Sequence, residues 1–106
     1  MTGDENVGAM VEGEDPSLLT VDDDKPFLTR LARAMEIRGF VVETAESVEE
    51  AVAKVRANPP AYAVVDMRLG DGNGLDVVAA IREKRDSRTV ILTGYGNIAT
   101  AVTAVK

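Results

Sequence analysis

Three short apolar runs constrain this chain more than anything else in it: Ser17-Leu18-Leu19-Thr20-Val21, Ala61-Tyr62-Ala63-Val64-Val65 and Arg88-Thr89-Val90-Ile91-Leu92. None shows the apolar/polar alternation of a strand with one wet face, so each reads as a strand buried on both sides. The first ends in Asp22-Asp23-Asp24, the second in Asp66 and the third in Thr93-Gly94. A further strand reads over Phe40-Val41-Val42-Glu43-Thr44-Ala45.

Segments of helical period separate these strands. Pro26 to Arg38 places Phe27, Leu31, Ala34 and Met35 on one face, with Pro26 suited to the first helical position. Ser47, with Glu50 three residues on, makes a capping-box pattern ahead of Val48, Ala51, Val52 and Val55, and Asn58-Pro59-Pro60 stops that helix. A third helix reads over about Leu75 to Arg85, its cationic last turn complementing the helix dipole. The spacing of Ile98, Ala101, Val102 and Val105 predicts a fourth, from Ile98 to Val105.

Strict βαβαβαβα alternation calls for a parallel sheet with helices on both faces. Right-handed crossovers leave few topologies. The flavodoxin-like, doubly wound α/β order 2-1-3-4 fits best, because it centres the two acid-ended strands. In such sheets ligands bind in the crevice beyond the carboxyl ends of the strands. Asp22, Asp23, Asp66 and Thr93 therefore converge if the strands are neighbours.

With 106 residues the chain has room for one domain. Residues 1–16 hold five acids, no base and no hydrophobic period, and are expected to be a disordered acidic tail resembling neither a signal nor a transit peptide. Residues 17–106 carry 13 acids against 12 bases, which offers no basic face for nucleic acid. Cysteine is absent, excluding disulfides and thiolate metal sites within the chain, and so is histidine, leaving carboxylates and hydroxyls for any chemistry. No apolar run approaches membrane-spanning length, and a cytoplasmic location is the expectation.

A carboxylate attacks phosphorus poorly unless its repulsion from the phosphoryl oxygens is neutralised, and a divalent cation held by neighbouring carboxylates does this. Asp22 and Asp23 would supply the cradle for Mg²⁺, a hard cation that takes oxygen ligands and retains waters. The Thr93 hydroxyl would donate to the phosphoryl group. Asp24, just ahead of Pro26, reads as a helix cap instead. Gly70, Gly72 and Gly74 read as conformational, allowing positive φ in the loop after Asp66. They do not match a phosphate-binding P-loop, which needs a following Lys-Ser or Lys-Thr.

These residues resemble the receiver domains of two-component response regulators (CheY-like proteins). The resemblance covers residues 17–106. It rests on Val21-Asp22-Asp23-Asp24 after the first strand, Asp66-Met67-Arg68-Leu69 with Gly74-Leu75-Asp76, and Thr93-Gly94 after the fourth strand. Asp71-Gly72-Asn73-Gly74-Leu75-Asp76-Val77-Val78 and Leu92-Thr93-Gly94-Tyr95-Gly96-Asn97-Ile98 are similar to the RegA/PrrA/ActR group of redox-responsive regulators. The resemblance implies that Asp66 accepts a phosphoryl group from a phosphohistidine on a sensor histidine kinase. It implies Mg²⁺ bound by Asp23, Asp66 and the Arg68 carbonyl, with Asp22 acting through the metal shell. Thr93 and Gly94 would sense the phosphoryl group, and the loop Gly94-Tyr95-Gly96-Asn97 would rearrange to change a dimer or partner surface. DNA would be reached only through an output domain outside this sequence.

The family pattern continues to a fifth strand ending in Lys-Pro, a fifth helix and, in the RegA-like group, a helix-turn-helix, none of which occurs in these residues. The expectation is therefore a receiver lacking strand five and helix five, with slow or unstable phosphorylation. Its fourth strand would be a bare edge, prone to homodimers or swapped oligomers. Thr20, a hydroxyl in a central strand, is tolerable if it finds a backbone acceptor. The alternatives are a catalytically silent dimerisation or interaction module on the receiver fold, and a hydrolase of the haloacid dehalogenase type. The latter needs a second Asp two residues after the nucleophile, where this chain has Arg68.

Overall fold

In the computed structural model, which describes residues 15–92 and 102–105, the elements are β1 (Ser17–Val21), α1 (Lys25–Ile37), β2 (Val41–Ala45), α2 (Val48–Ala57) and β3 (Tyr62–Asp66). The short strands β4 (Arg68–Leu69) and β5 (Gly72–Asn73) follow, then α3 (Gly74–Lys84), β6 (Arg88–Leu92) and β7 (Val102–Val105). The main sheet has the order β2-β1-β3-β6-β7, and its first four strands are parallel. The expected order 2-1-3-4 of four parallel strands is thus the observed one.

Each helix begins where a side-chain oxygen stands in for a missing backbone acceptor. Asp24 caps α1 by accepting from the Phe27 N–H at 3.1 Å. The helix opens at Lys25, one residue earlier than expected, so Pro26 occupies its second position. It stops at Gly39, whose φ of +100° lets the chain reverse while the N–H groups of Gly39 and Phe40 bond to the carbonyls of Glu36 and Met35. Ser47 caps α2 through the Glu50 N–H, whereas the Glu50 carboxylate reaches back to the N–H of Glu46 rather than of Ser47 itself. The reciprocal capping box belongs to α3, between Asn73 and Asp76.

Helix α1 packs on β1 and β2, while α2 and α3 pack against each other and the other face of the sheet. The core between them joins Leu19 and Val21 of β1, Ala63 and Val65 of β3, Ala51 and Val55 of α2, and Val77 and Ile81 of α3. Each fully buried Val or Ile side chain contributes about 1.5–3 kcal/mol relative to exposure. Thr20 is wholly buried, and its hydroxyl donates to the Glu43 carbonyl at 3.5 Å, a long contact.

Three expectations are corrected. Val102–Val105, expected as the end of a fourth helix, forms β7, antiparallel to β6 with Leu92 opposite Val102 and Thr89 opposite Val105. The segment is rich in β-branched residues, its short apolar pattern fits either period, and the β6 edge supplies backbone partners that a local reading does not see. For the same reason β6 is not the bare edge expected of it. Residues 98–101 of the expected helix, and residues 1–14 of the expected tail, lie outside the described residues. Asp15 and Pro16, also assigned to that tail, are bonded to the sheet: Asp15 accepts from the Ser17 N–H and pairs with Arg85, and the Pro16 carbonyl accepts from the Val41 N–H. Among the described residues no helix is long and apolar enough to cross a membrane.

Candidate functional site

Register assembles the site. Val21 pairs with Val65 and with Ala45, so the chain leaves β1 and β3 side by side at the carboxyl edge of the sheet. The next residues are Asp22 and Asp66. Asp22, Asp23 and Asp66 each bring a carboxylate oxygen into a group whose members lie within 4.8 Å of one another. The Asp22 N–H donates to the Ala45 carbonyl, and its carboxylate accepts from the Asp24 N–H at 2.8 Å, which fixes that side chain at the crevice floor. Asp22 is buried, Asp66 half-buried and Asp23 exposed, giving the cluster one open side.

The electrostatics are frustrated. Burial pushes the Asp22 carboxyl above its ordinary value, with the charges of Asp23 and Asp24 adding to the effect and the Asp24 N–H opposing it. Burial likewise raises Asp66, followed by the charge of Asp22, while the N–H groups of Arg68 and Met67 pull it down. Three carboxylate oxygen donors gathered this closely suit a hard divalent cation, and the donor set excludes a soft-metal site.

The loop beyond Asp66 is held on three sides. The Met67 N–H bonds to the Leu92 carbonyl at 3.0 Å, extending the β3–β6 ladder by one residue. The Met67 carbonyl accepts from the Gly74 N–H at 2.7 Å. Arg68 and Leu69 pair with Asn73 and Gly72 in a small antiparallel hairpin, with Leu69 buried in the core. Gly70, Gly72 and Gly74, read as positions of positive φ, do not adopt it, and Gly39 is the positive-φ glycine among the described residues. Gly74 is needed for space. A Cβ there would sit 2.4 Å from the Asp66 carbonyl oxygen and 2.8 Å from Val65 Cγ1. Sequence reasoning also passed over Asp71, whose carboxylate reaches the first turn of α2.

Thr93, Gly94, Tyr95, Gly96 and Asn97 lie outside the described residues. Leu92, directly before them, stands opposite Asp66 in the sheet register.

Residues 18–106 match the family described as the response regulator receiver domain. The chain belongs to that family. It is 70% identical over 95 residues to the photosynthetic apparatus regulatory protein RegA of Cereibacter sphaeroides, covering 89% of this chain and 52% of that one. It is 67% identical over 95 residues to the acid tolerance regulatory protein ActR of Sinorhizobium medicae, covering 89% and 49%. The receiver thus spans about half the length of these curated relatives. The RegA/ActR-like reading of the sequence is borne out by these identities.

Among solved structures, the fold is similar to a response regulator from Burkholderia pseudomallei with a phosphorylated aspartic acid, a calcium ion and citrate. That match has a TM-score of 0.72 and 35% identity, over 79% of this chain and 50% of that one. A CheY-like receiver domain from Methanospirillum hungatei matches with a TM-score of 0.72 and 27% identity, over 80% and 69%.

Proposed function

We propose that this receiver is a phosphoacceptor in which Asp66 takes a phosphoryl group from the phosphohistidine of a sensor histidine kinase. The observation that carries this reading is the convergence of Asp22, Asp23 and Asp66 at the carboxyl edge of the sheet, with burial and mutual repulsion raising two of the three. A relative of the same fold that carries a phosphorylated aspartic acid and a calcium ion supports it.

In the reaction a carboxylate oxygen of Asp66 forms a bond to phosphorus as the phosphorus–nitrogen bond of the donor breaks, and the leaving imidazole keeps that electron pair. Asp22, Asp23, Asp66 and the Arg68 carbonyl would hold Mg²⁺, which when bound neutralises the phosphoryl oxygens against the three carboxylates. The N–H groups of Met67 and Arg68 bond the Asp66 carboxylate and hold it in place. Thr93 and Gly94 would sense the phosphoryl group, and Tyr95, Gly96 and Asn97 would carry the change to a homodimer or partner surface. Transcription would be controlled in the cytoplasm through an output domain in the half of the relatives' length that this chain does not span.

Intact mass after incubation with acetyl phosphate and Mg²⁺ tests the reading. A phosphoryl adduct lost with EDTA and lost in Asp66→Ala is the expected outcome. No adduct in a folded sample would overturn it and favour a catalytically silent receiver-fold interaction module.

A further inference from the structure

Helix α2 begins with an unusual division of labour. Its first N–H groups need outside acceptors, because no preceding turn supplies carbonyls. The N–H of Ala51 bonds to the Ser47 carbonyl and that of Glu50 to the Ser47 hydroxyl, as a local cap provides. The remaining pair is taken from another part of the chain. Asp71 Oδ1 accepts from the Val48 N–H at 2.8 Å and Oδ2 from the Glu49 N–H at 3.1 Å. One carboxylate therefore completes the helix cap across 22 and 23 residues of sequence. Those two N–H groups hold the Asp71 carboxyl below its ordinary value, so it stays ionised facing the positive end of the helix dipole.

Asp71 sits in the turn of the β4–β5 hairpin, and that hairpin carries Arg68. The hairpin also fits closely against α2, since a Cβ at Gly72 would lie 3.2 Å from Val48 Cγ2. The base of the loop is anchored by Met67 to Leu92 and by Gly74 to Met67. Its tip is anchored by Asp71. We propose that Asp71 is a positioning residue for the acid cluster: by clamping the hairpin tip to α2 it holds in place Arg68, whose N–H bonds the Asp66 carboxylate, and so keeps that carboxylate set for the divalent cation. This rests on the phosphoacceptor reading for the identity of the cation site, and not on phosphoryl transfer itself.

The test is direct calorimetric titration of Mg²⁺, without phosphodonor, into the wild-type chain, Asp66→Ala, Asp71→Ala, Asp71→Asn and Ser47→Ala. Wild type binds and Asp66→Ala does not. Asp71→Ala is expected to weaken Mg²⁺ about tenfold, the low end of the loss seen when a group that orients a metal ligand is removed. Asp71→Asn, which keeps one acceptor oxygen, falls between them and serves where the alanine variant does not fold. Ser47→Ala removes a cap from the same helix end without touching the hairpin, so it lowers thermal stability and leaves Mg²⁺ affinity unchanged.

Unaltered affinity in both Asp71 variants would overturn the inference while leaving the phosphoacceptor reading intact. Equal weakening by Ser47→Ala would also overturn it, because the effect would then follow helix stability alone. Mg²⁺ binding that depends on Asp71, in a chain that forms no acyl phosphate, would uphold the inference and sink the phosphoacceptor reading. Absence of Mg²⁺ binding in wild type would end both.

Discussion

The two ends of the sheet use the same residue type in opposite ways. At the carboxyl edge Asp22 and Asp66 are crowded by burial and like charge, and both are held above the ordinary carboxylate range. At the amino edge Asp15 lies 2.8 Å from Arg85 and accepts from the Ser17 N–H, and these bonds lower its pKa to about 2. The polar groups around it are similarly paired. Arg85 also donates to the Pro59 carbonyl, Ser17 accepts from the Ala61 N–H, and Ser87 donates to the Pro60 carbonyl. The amino edge is stitched for stability, whereas the carboxyl edge gathers like charges of the kind a divalent cation would neutralise. A fold tolerates the second only because the first, with the core between, holds the strand register.

The sharpest contrast comes from one small substitution at each end. Gly74→Ala forces a methyl group into the Asp66 carbonyl and Val65, which backbone must yield to accommodate, so it should cost about 2–4 kcal/mol and abolish Mg²⁺ binding. Ser87→Ala at the amino edge removes the donor to the buried Pro60 carbonyl and should cost about 1–2 kcal/mol with Mg²⁺ affinity unchanged. Urea unfolding and a Mg²⁺ titration on both variants check this. Equal losses of Mg²⁺ affinity would erase the distinction between the two ends.

A smaller effect, of opposite sign at the two ends, follows from pH. Asp66 has a raised native pKa, so its charge opposes folding, and the opposition grows as pH rises from 3.8 through that raised value. Asp66→Asn should therefore stabilise the metal-free chain at neutral pH, with the gain vanishing below pH 3.8. Asp15 has a lowered native pKa, so its contribution is present above 3.8 and lost as pH falls through about 2. Asp15→Asn should destabilise at neutral pH, slightly because the pair is exposed, and match wild type at the acid limit. Stability measured between pH 2 and 7 in EDTA separates the two, and shifts of the same sign would contradict the comparison.

The acid cluster was legible in the sequence because each of its residues ends an apolar run, and runs buried on both faces leave little freedom in strand order. Asp22 and Asp66 needed only neighbouring strands to meet. Ser47 and Asp24 were legible as caps because a cap acts over three residues. Asp71 was not, since it caps a helix that precedes it by more than 20 residues and no local pattern records that bond. Gly74 was noticed for the wrong reason: sequence suggests backbone freedom, while the requirement is clearance for a carbonyl on another element. Val102–Val105 failed differently, because a short β-branched apolar segment is decided by the partner it finds, here the edge of β6.

The smallest prediction concerns Thr20, inside the strand that leads to Asp22. It is the fourth of the five residues of β1, wholly buried, with its hydroxyl 3.5 Å from the Glu43 carbonyl. A bond of that length returns little of the desolvation it required. Val is close in size to Thr and keeps the β-branched shape suited to a strand. Thr20→Val should therefore stabilise the chain by about 0.5–1 kcal/mol and leave Mg²⁺ affinity unaltered. A lower melting temperature would show that the hydroxyl holds β2 to β1 more firmly than its geometry indicates. A changed Mg²⁺ affinity would show that packing inside β1 transmits strain to Asp22 at the carboxyl edge.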